Sequence, residues 1–83
     1  MAKLTDLPNL GEVIVKRLNA IGIWTAEELV QAGSKDVFFR MKMAGGEVCL
    51  HMLYALQGAI EGIRYTQLAP GTKQELKQYY KKA

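Results

Sequence analysis

The run from Glu47 to Glu61 constrains this chain most. Val48, Cys49, Leu50, Met52, Leu53, Tyr54, Ala55, Leu56, Ala59 and Ile60 crowd into it. Wound at helical period, they leave only a narrow polar stripe through Glu47, His51, Gly58 and Glu61, with Gln57 beside it. A helix apolar nearly all round is a buried one. The sequence therefore predicts a central helix over about 47–61, bounded by the Gly45-Gly46 break and by Gly62, with the other elements packed around it.

Those other elements carry their own signals. Leu4-Thr-Asp-Leu7 is one helical turn stopped by Pro8. A first full helix starts between Asn9 and Gly11 and runs to about Ala20. Ile14, Leu18 and Ile21, with Val15 beside them, form its apolar stripe, and Gly22 ends it. Thr25-Ala-Glu-Glu28 is a capping box that opens a second helix, and Trp24 and Leu29 stand at the positions of a hydrophobic staple. Gly33 ends that helix. Ser34 is the expected cap of a third, from Lys35 to about Met43. Ile63 to Gly71 reads as a loop with Pro70-Gly71 as its turn. Thr72-Lys-Gln-Glu75 reads as a second capping box, opening a last helix to about Tyr80 that frays at its end. No segment alternates at period two, so no sheet is expected. Leu10-Gly11-Glu12 and Gly46-Glu47 hint at two related hairpin units, each placing a glycine seven residues before a leucine (Leu18, Leu53). Leu18, Leu29, Leu53 and Leu56 are the predicted heart of the core.

Eighty-three residues make one domain, 1–83. The hydrophobic fraction of 49% suffices for a folded core, and 23% charged residues is ordinary. The net charge is +3. Lys73, Lys77, Lys81 and Lys82 supply the excess, against Glu75 alone in that tail; the remaining charges balance. A basic terminal helix of this kind reads first as a solvated face. One cysteine, Cys49, excludes an intramolecular disulfide and fits a reducing, cytoplasmic setting. The N-terminus has no apolar signal region, and no run reaches the ~20 residues of a membrane span.

The residues most suggestive of binding are Asn9, Leu10 and Gly11. A hairpin turn that presents backbone amides to an anion needs an αL-tolerant residue, an apolar anchor and a glycine leading into a helix. Lys16 and Arg17 follow within two turns. Arg40 and Lys42 lie near the Gly45-Gly46 break and could join a patch with them. Against a phosphate site stand Glu12 and Glu47, which suit the helix dipole and repel an anion. Asn9 is then simply a helix cap. Phe38 and Phe39, about 100° apart, cannot both point squarely into one core: either one is partly exposed at a partner surface or, the favoured expectation, both edge the core. His51 has no metal-spaced partners beyond Glu47 and is expected to hydrogen-bond a neighbour. Cys49 and His51, two apart, do not face each other on a helix, and burial would leave Cys49 inert. No phosphate loop, catalytic carboxylate pair or nucleophile triad is present, so no catalytic residue, metal or cofactor is expected.

Leu7-Pro-Asn-Leu-Gly11, Leu18-Asn-Ala-Ile-Gly22-Ile, Thr25-Ala-Glu-Glu-Leu29 and Cys49-Leu-His-Met-Leu53-Tyr-Ala-Leu56-Gln-Gly58-Ala-Ile-Glu-Gly62 resemble the C-terminal domain of the TfoX/Sxy competence regulators. The resemblance covers about Leu4 to Leu76. The Leu-Tyr-Ala-Leu-x-Gly-Ala run is its most specific part. The shorter Asn-Leu-Gly and Gly-Ile-x-Thr pieces also resemble the helical C-terminal domain of the RNA polymerase α subunit and other helix-hairpin-helix modules. His51 and Met52 replace an expected Asn and Leu, and Tyr65 an expected Trp. The family regulators usually carry a second, N-terminal domain that has no counterpart in these residues.

The resemblance implies an all-α, compact five-helix domain of helix-hairpin-helix or SAM-like type. It implies a bacterial protein tied to DNA uptake and transformation, with no catalytic residues. The expected function is a non-enzymatic module that binds nucleic acid weakly and non-specifically, or docks onto a DNA-associated protein. The alternative is a protein-interaction or homodimerisation domain without nucleic acid. A monomer or weak homodimer is expected.

Overall fold

The computed structural model describes residues 3–82. Five α-helices follow one another: α1 (Glu12–Ala20), α2 (Ala26–Ala32), α3 (Ser34–Met43), α4 (Leu50–Glu61) and α5 (Pro70–Lys82). Two short 3-10 turns, Leu4–Asp6 and Tyr65–Gln67, complete the set. The described residues hold no strand, only one isolated antiparallel bridge between Lys3 and Thr25.

The central helix stands where its composition puts it. α4 packs against α2, α3, α5 and the Tyr65–Gln67 turn. Leu18, Leu29, Leu53 and Leu56 are fully buried, and Val37, Phe38 and Met41 close the core from α3. Ile14, Val15 and Ile21 pack partly buried against that cluster, so the α1 stripe faces inward.

α2 begins as its sequence dictates. The Glu28 amide donates to Thr25 Oγ1 at 3.1 Å, and Glu28 Oε1 accepts from the Trp24 and Thr25 amides at 3.0 Å. The staple is not closed in the same way. Leu29 is buried while Trp24 remains 63% exposed.

Three helix starts differ from the sequence reading. α4 begins at Leu50 with Cys49 as its extended N-cap, so Glu47 and Val48 precede the helix. Val48 is nevertheless half-buried against the core, which explains why the apolar pattern runs past the helix boundary. This also breaks the proposed pairing of hairpin units: Gly11 leads directly into α1, whereas Gly46 is followed by extended chain.

α5 begins at Pro70. The Lys73 amide donates to the Ala69 carbonyl at 3.0 Å, which places proline at the first helical position, where its missing N–H costs nothing. Thr72 is therefore inside the helix and caps nothing, and Pro70-Gly71 is not a turn. Ser34, finally, is the first residue of α3 behind Gly33. It is buried, and its hydroxyl donates to Gln57 Oε1 on α4 at 2.6 Å.

α5 is docked on the core through residues 75–80. Leu76 is buried, Tyr79 Oη donates to the Lys35 carbonyl, and Lys35 Nζ meets Glu75 Oε1 at 2.6 Å. That ammonium holds the Glu75 carboxyl below the ordinary carboxylate range, first by hydrogen bonding and then by charge. Tyr54 Oη also donates to the Lys73 carbonyl. Phe38 and Phe39 divide: Phe38 is buried with Tyr80 edge-on at 5.9 Å, while Phe39 is exposed. The inward face of α3 is Val37, Phe38 and Met41, Phe39 lies beyond it, and the shared edge expected of the two phenylalanines is not formed.

Candidate functional site

The Pro8-Asn9-Leu10-Gly11 turn is built around Asn9, the one non-glycine described residue with positive φ, at 69°. Asparagine tolerates this left-handed conformation because its short amide bonds locally. Here the amide bonds across the fold. Asn9 Nδ2 donates to the Ile63 carbonyl at 2.9 Å and to the Ala55 carbonyl at 3.5 Å, and the Tyr65 amide donates to Asn9 Oδ1 at 3.1 Å. Asn9 is thus not the cap of α1; that position belongs to Gly11. Leu10 is the buried anchor of the turn. Gly58, read from sequence as part of the wet stripe, is buried below Asn9. A Cβ there would stand 2.5 Å from Asn9 Nδ2 and 2.8 Å from the Ile63 carbonyl.

No side chain caps α1 at Gly11. The first-turn amides of the helix therefore point outward without a protein acceptor of the usual kind. Glu12 sits beside them and forms an exposed pair with Lys16 at 3.7 Å.

Arg17 and Gly46, two separate candidates in the sequence, come into direct contact. The guanidinium lies over Gly46, where any Cβ would collide with it. Arg17 Nη1 donates to the Glu47 carbonyl and also approaches Met52 Sδ at 3.7 Å, while Nη2 is buried without a partner. Arg17 thereby ties α1 to the α3–α4 connection that contains Gly45. Arg40 pairs with Asp36 at 2.9 Å and lines a different cleft, with Gly22, Ile23, Glu28 and Gln31. Lys42 is exposed in the last turn of α3. The nine candidates therefore divide: Asn9, Leu10 and Gly11 form the turn before α1, Lys16 and Arg17 lie on α1 with Arg17 against Gly46 and its neighbour Gly45, Arg40 lines another cleft, and Lys42 is exposed at the end of α3.

A cleft of about 440 Å³ was not anticipated from sequence. Pro8, Asn9, Arg64, Tyr65 and Thr66 line it. Its far wall is a loop without periodicity, and the only signal it offered was Tyr65 as an aromatic residue next to an arginine.

Cys49 is exposed, contrary to the burial expected of it. His51 is exposed too, and its ring meets Tyr65 edge-on with centroids 6.1 Å apart. Among the described residues no three His, Cys, Asp or Glu side chains gather as a metal site. No helix among them is long and apolar enough to cross a membrane.

Comparison with known proteins decides the family. The TfoX C-terminal domain matches residues 1–80. This chain belongs to that family. It is 30% identical over 77 residues to the DNA transformation protein TfoX1 of Aliivibrio fischeri, and 31% identical over 77 residues to the protein Sxy of Escherichia coli. These alignments cover 92% and 93% of the chain, and 37% of the length of either relative. Two crystal structures of a Listeria monocytogenes protein of unknown function share the fold at 42% identity. The triclinic form has a TM-score of 0.94 and aligns over 98% of this chain and 92% of its own. The tetragonal form has a TM-score of 0.92, over 95% and 96%.

Proposed function

We propose that this chain is a cytoplasmic, non-enzymatic module of helix-hairpin-helix type that serves DNA transformation, the role named for its Aliivibrio relative, through weak and sequence-independent contact with nucleic acid. The observation that carries this reading is the open first turn of α1 at Gly11. Its free amides and the positive end of the helix dipole suit one phosphate oxygen. Lys16 and Arg17 on the same helix, and the Gly45-Gly46 connection clasped by Arg17, supply the surrounding surface, with Arg40 and Lys42 outlying on α3. Since Lys16 and Arg40 already hold carboxylates and Arg17 is turned inward, few phosphates are neutralised. Affinity is correspondingly low, with a dissociation constant of about 10⁻⁴ to 10⁻⁶ M at physiological salt.

Titration of a labelled oligonucleotide tests this. Two to three neutralised phosphates give a log–log salt slope of about −2 to −3. Glu12→Gln should tighten binding, because it removes the charge beside the open amides. Absence of binding at low salt, unaltered by Glu12→Gln, leaves the second reading. That reading is a protein-interaction or homodimerisation module, favoured by the exposure of Val13, Trp24 and Met43, and concentration-dependent sedimentation would reveal it.

A further inference from the structure

The cleft between the Pro8-Asn9 turn and Arg64-Tyr65-Thr66 has a cation, Arg64, on its wall. Lys16, Lys35 and Arg40 each hold a carboxylate, and Arg17 is committed to the Glu47 carbonyl. Arg64 is exposed and has neither an ion pair nor a side-chain hydrogen bond among the described residues. No carboxylate lines the cleft with it. A second cation reaches the same segment, because the Lys73 ammonium donates to the Thr66 carbonyl at 3.2 Å.

Beside this free guanidinium stands an aromatic ring. Tyr65 is 37% exposed and is braced edge-on by His51 at 83°. The segment is also fixed in place before any ligand arrives. Asn9 receives the Tyr65 amide and donates to the Ile63 carbonyl, and the absence of a side chain at Gly58 allows that approach. The backbone that carries cation, ring and hydroxyl is thus anchored on both sides of Arg64, by Asn9 and by the bonds of the 3-10 turn itself.

We propose that this cleft binds one nucleotide of a single-stranded nucleic acid, with the Arg64 guanidinium on a phosphate, the Tyr65 ring against the base and the Thr66 hydroxyl available to the sugar-phosphate. Single-stranded rather than duplex nucleic acid follows from the ring: a base must be unstacked to offer its face to a side chain, and every base has such a face. A 3-10 turn of three residues also offers no element long enough to read a duplex groove. Asn9 is a positioning residue for this site. The assignment rests on the nucleic-acid reading above and names its ligand and a site outside the α1 end.

Fluorescence anisotropy of a labelled twelve-residue oligo-dT, alongside a duplex of equal length, tests it. Tyr65→Ala should weaken oligo-dT binding at least about fivefold, the low end of the known range for base–aromatic stacking. Tyr65→Phe should retain binding. Arg64→Gln should weaken it and lower the magnitude of the salt slope by about 0.7, the loss of one single-strand phosphate. Both side chains are exposed, and the bond from Tyr65 to Asn9 uses the backbone, so circular dichroism should show an unchanged fold. Wild-type affinity in both Arg64→Gln and Tyr65→Ala, with loss in Lys16→Gln, would overturn the cleft and keep the nucleic-acid module. Binding to duplex alone would do the same. Binding to neither oligonucleotide would overturn both.

Discussion

At the scale of single residues, local chemistry and long-range contact give different returns for the same residue type. Thr25 and Thr72 sit in matching sequence boxes, yet Thr25 caps α2 and Thr72 lies inside α5. Thr25→Ala should therefore cost about 0.5–2 kcal/mol. Thr72→Ala should cost close to nothing, since alanine is the better helix former at an interior position. Urea midpoints of the two variants compare them directly, and equal losses would contradict the observed start of α5. Gly58 is the sharper case. Its Cβ would meet the Ile63 carbonyl, a backbone atom that cannot swing aside, as well as the Asn9 amide. Gly58→Ala should destabilise by about 1–3 kcal/mol, the range of overpacking. Asn9→Gly should also destabilise, though the left-handed backbone is kept, because it removes the bonds to Ile63 and Tyr65. Thermal melts of both variants check these losses.

At the scale of elements, the bounds of α2 were legible because its box, its N-terminal residue and its closing Gly33 are all local, whereas the staple expected of Trp24 was not formed. The order and number of the helices, the burial of four leucines and the inward stripe of α1 were legible from periodicity for the same reason. The start of α4 was not, because Val48 is half-buried in the connection before the helix and mimics another helical turn. The start of α5 was not, because Pro70-Gly71 reads as a turn when its position after Ala69 is unknown. The inward use of Asn9 depends on residues more than forty positions away, and the Arg64–Thr66 wall has no period to read. The docking of α5 makes a pH prediction. The Glu75 carboxyl is held below its ordinary range by Lys35, so the pair adds stability above the ordinary carboxylate pKa and loses it as pH falls through the lowered one. Glu75 is largely exposed, and the pair is weak and screened by salt. Glu75→Gln should flatten the acid side of the stability-against-pH curve at low salt and leave the neutral-to-basic side parallel to wild type. Denaturant titrations from acid to neutral pH measure this.

At the scale of the whole molecule, the arrangement predicts one cooperative unit. α4 packs against α2, α3 and α5, and inner side chains of all five helices join one buried cluster. A molecule with a radius of gyration of 11.6 Å has no room for a second core. Leu53 lies at the centre of that cluster and Leu76 is its only fully buried member from α5. If the helices unfold together, removing either side chain must shift the whole transition rather than release one helix. Leu53→Ala should cost about 2–5 kcal/mol, and Leu76→Ala an amount within the same range. For a chain of this size each kcal/mol lowers the thermal midpoint by about 4–8 °C, so both melts should shift by roughly 10 °C or more. Helical ellipticity and tyrosine–tryptophan fluorescence should report the same midpoint in each variant, since Trp24 borders α2 while Tyr79 and Tyr80 ride on α5. An early loss of the α5 tyrosine signal in Leu76→Ala, with the Trp24 transition unmoved, would show that α5 is an appendage and that the core closes without it.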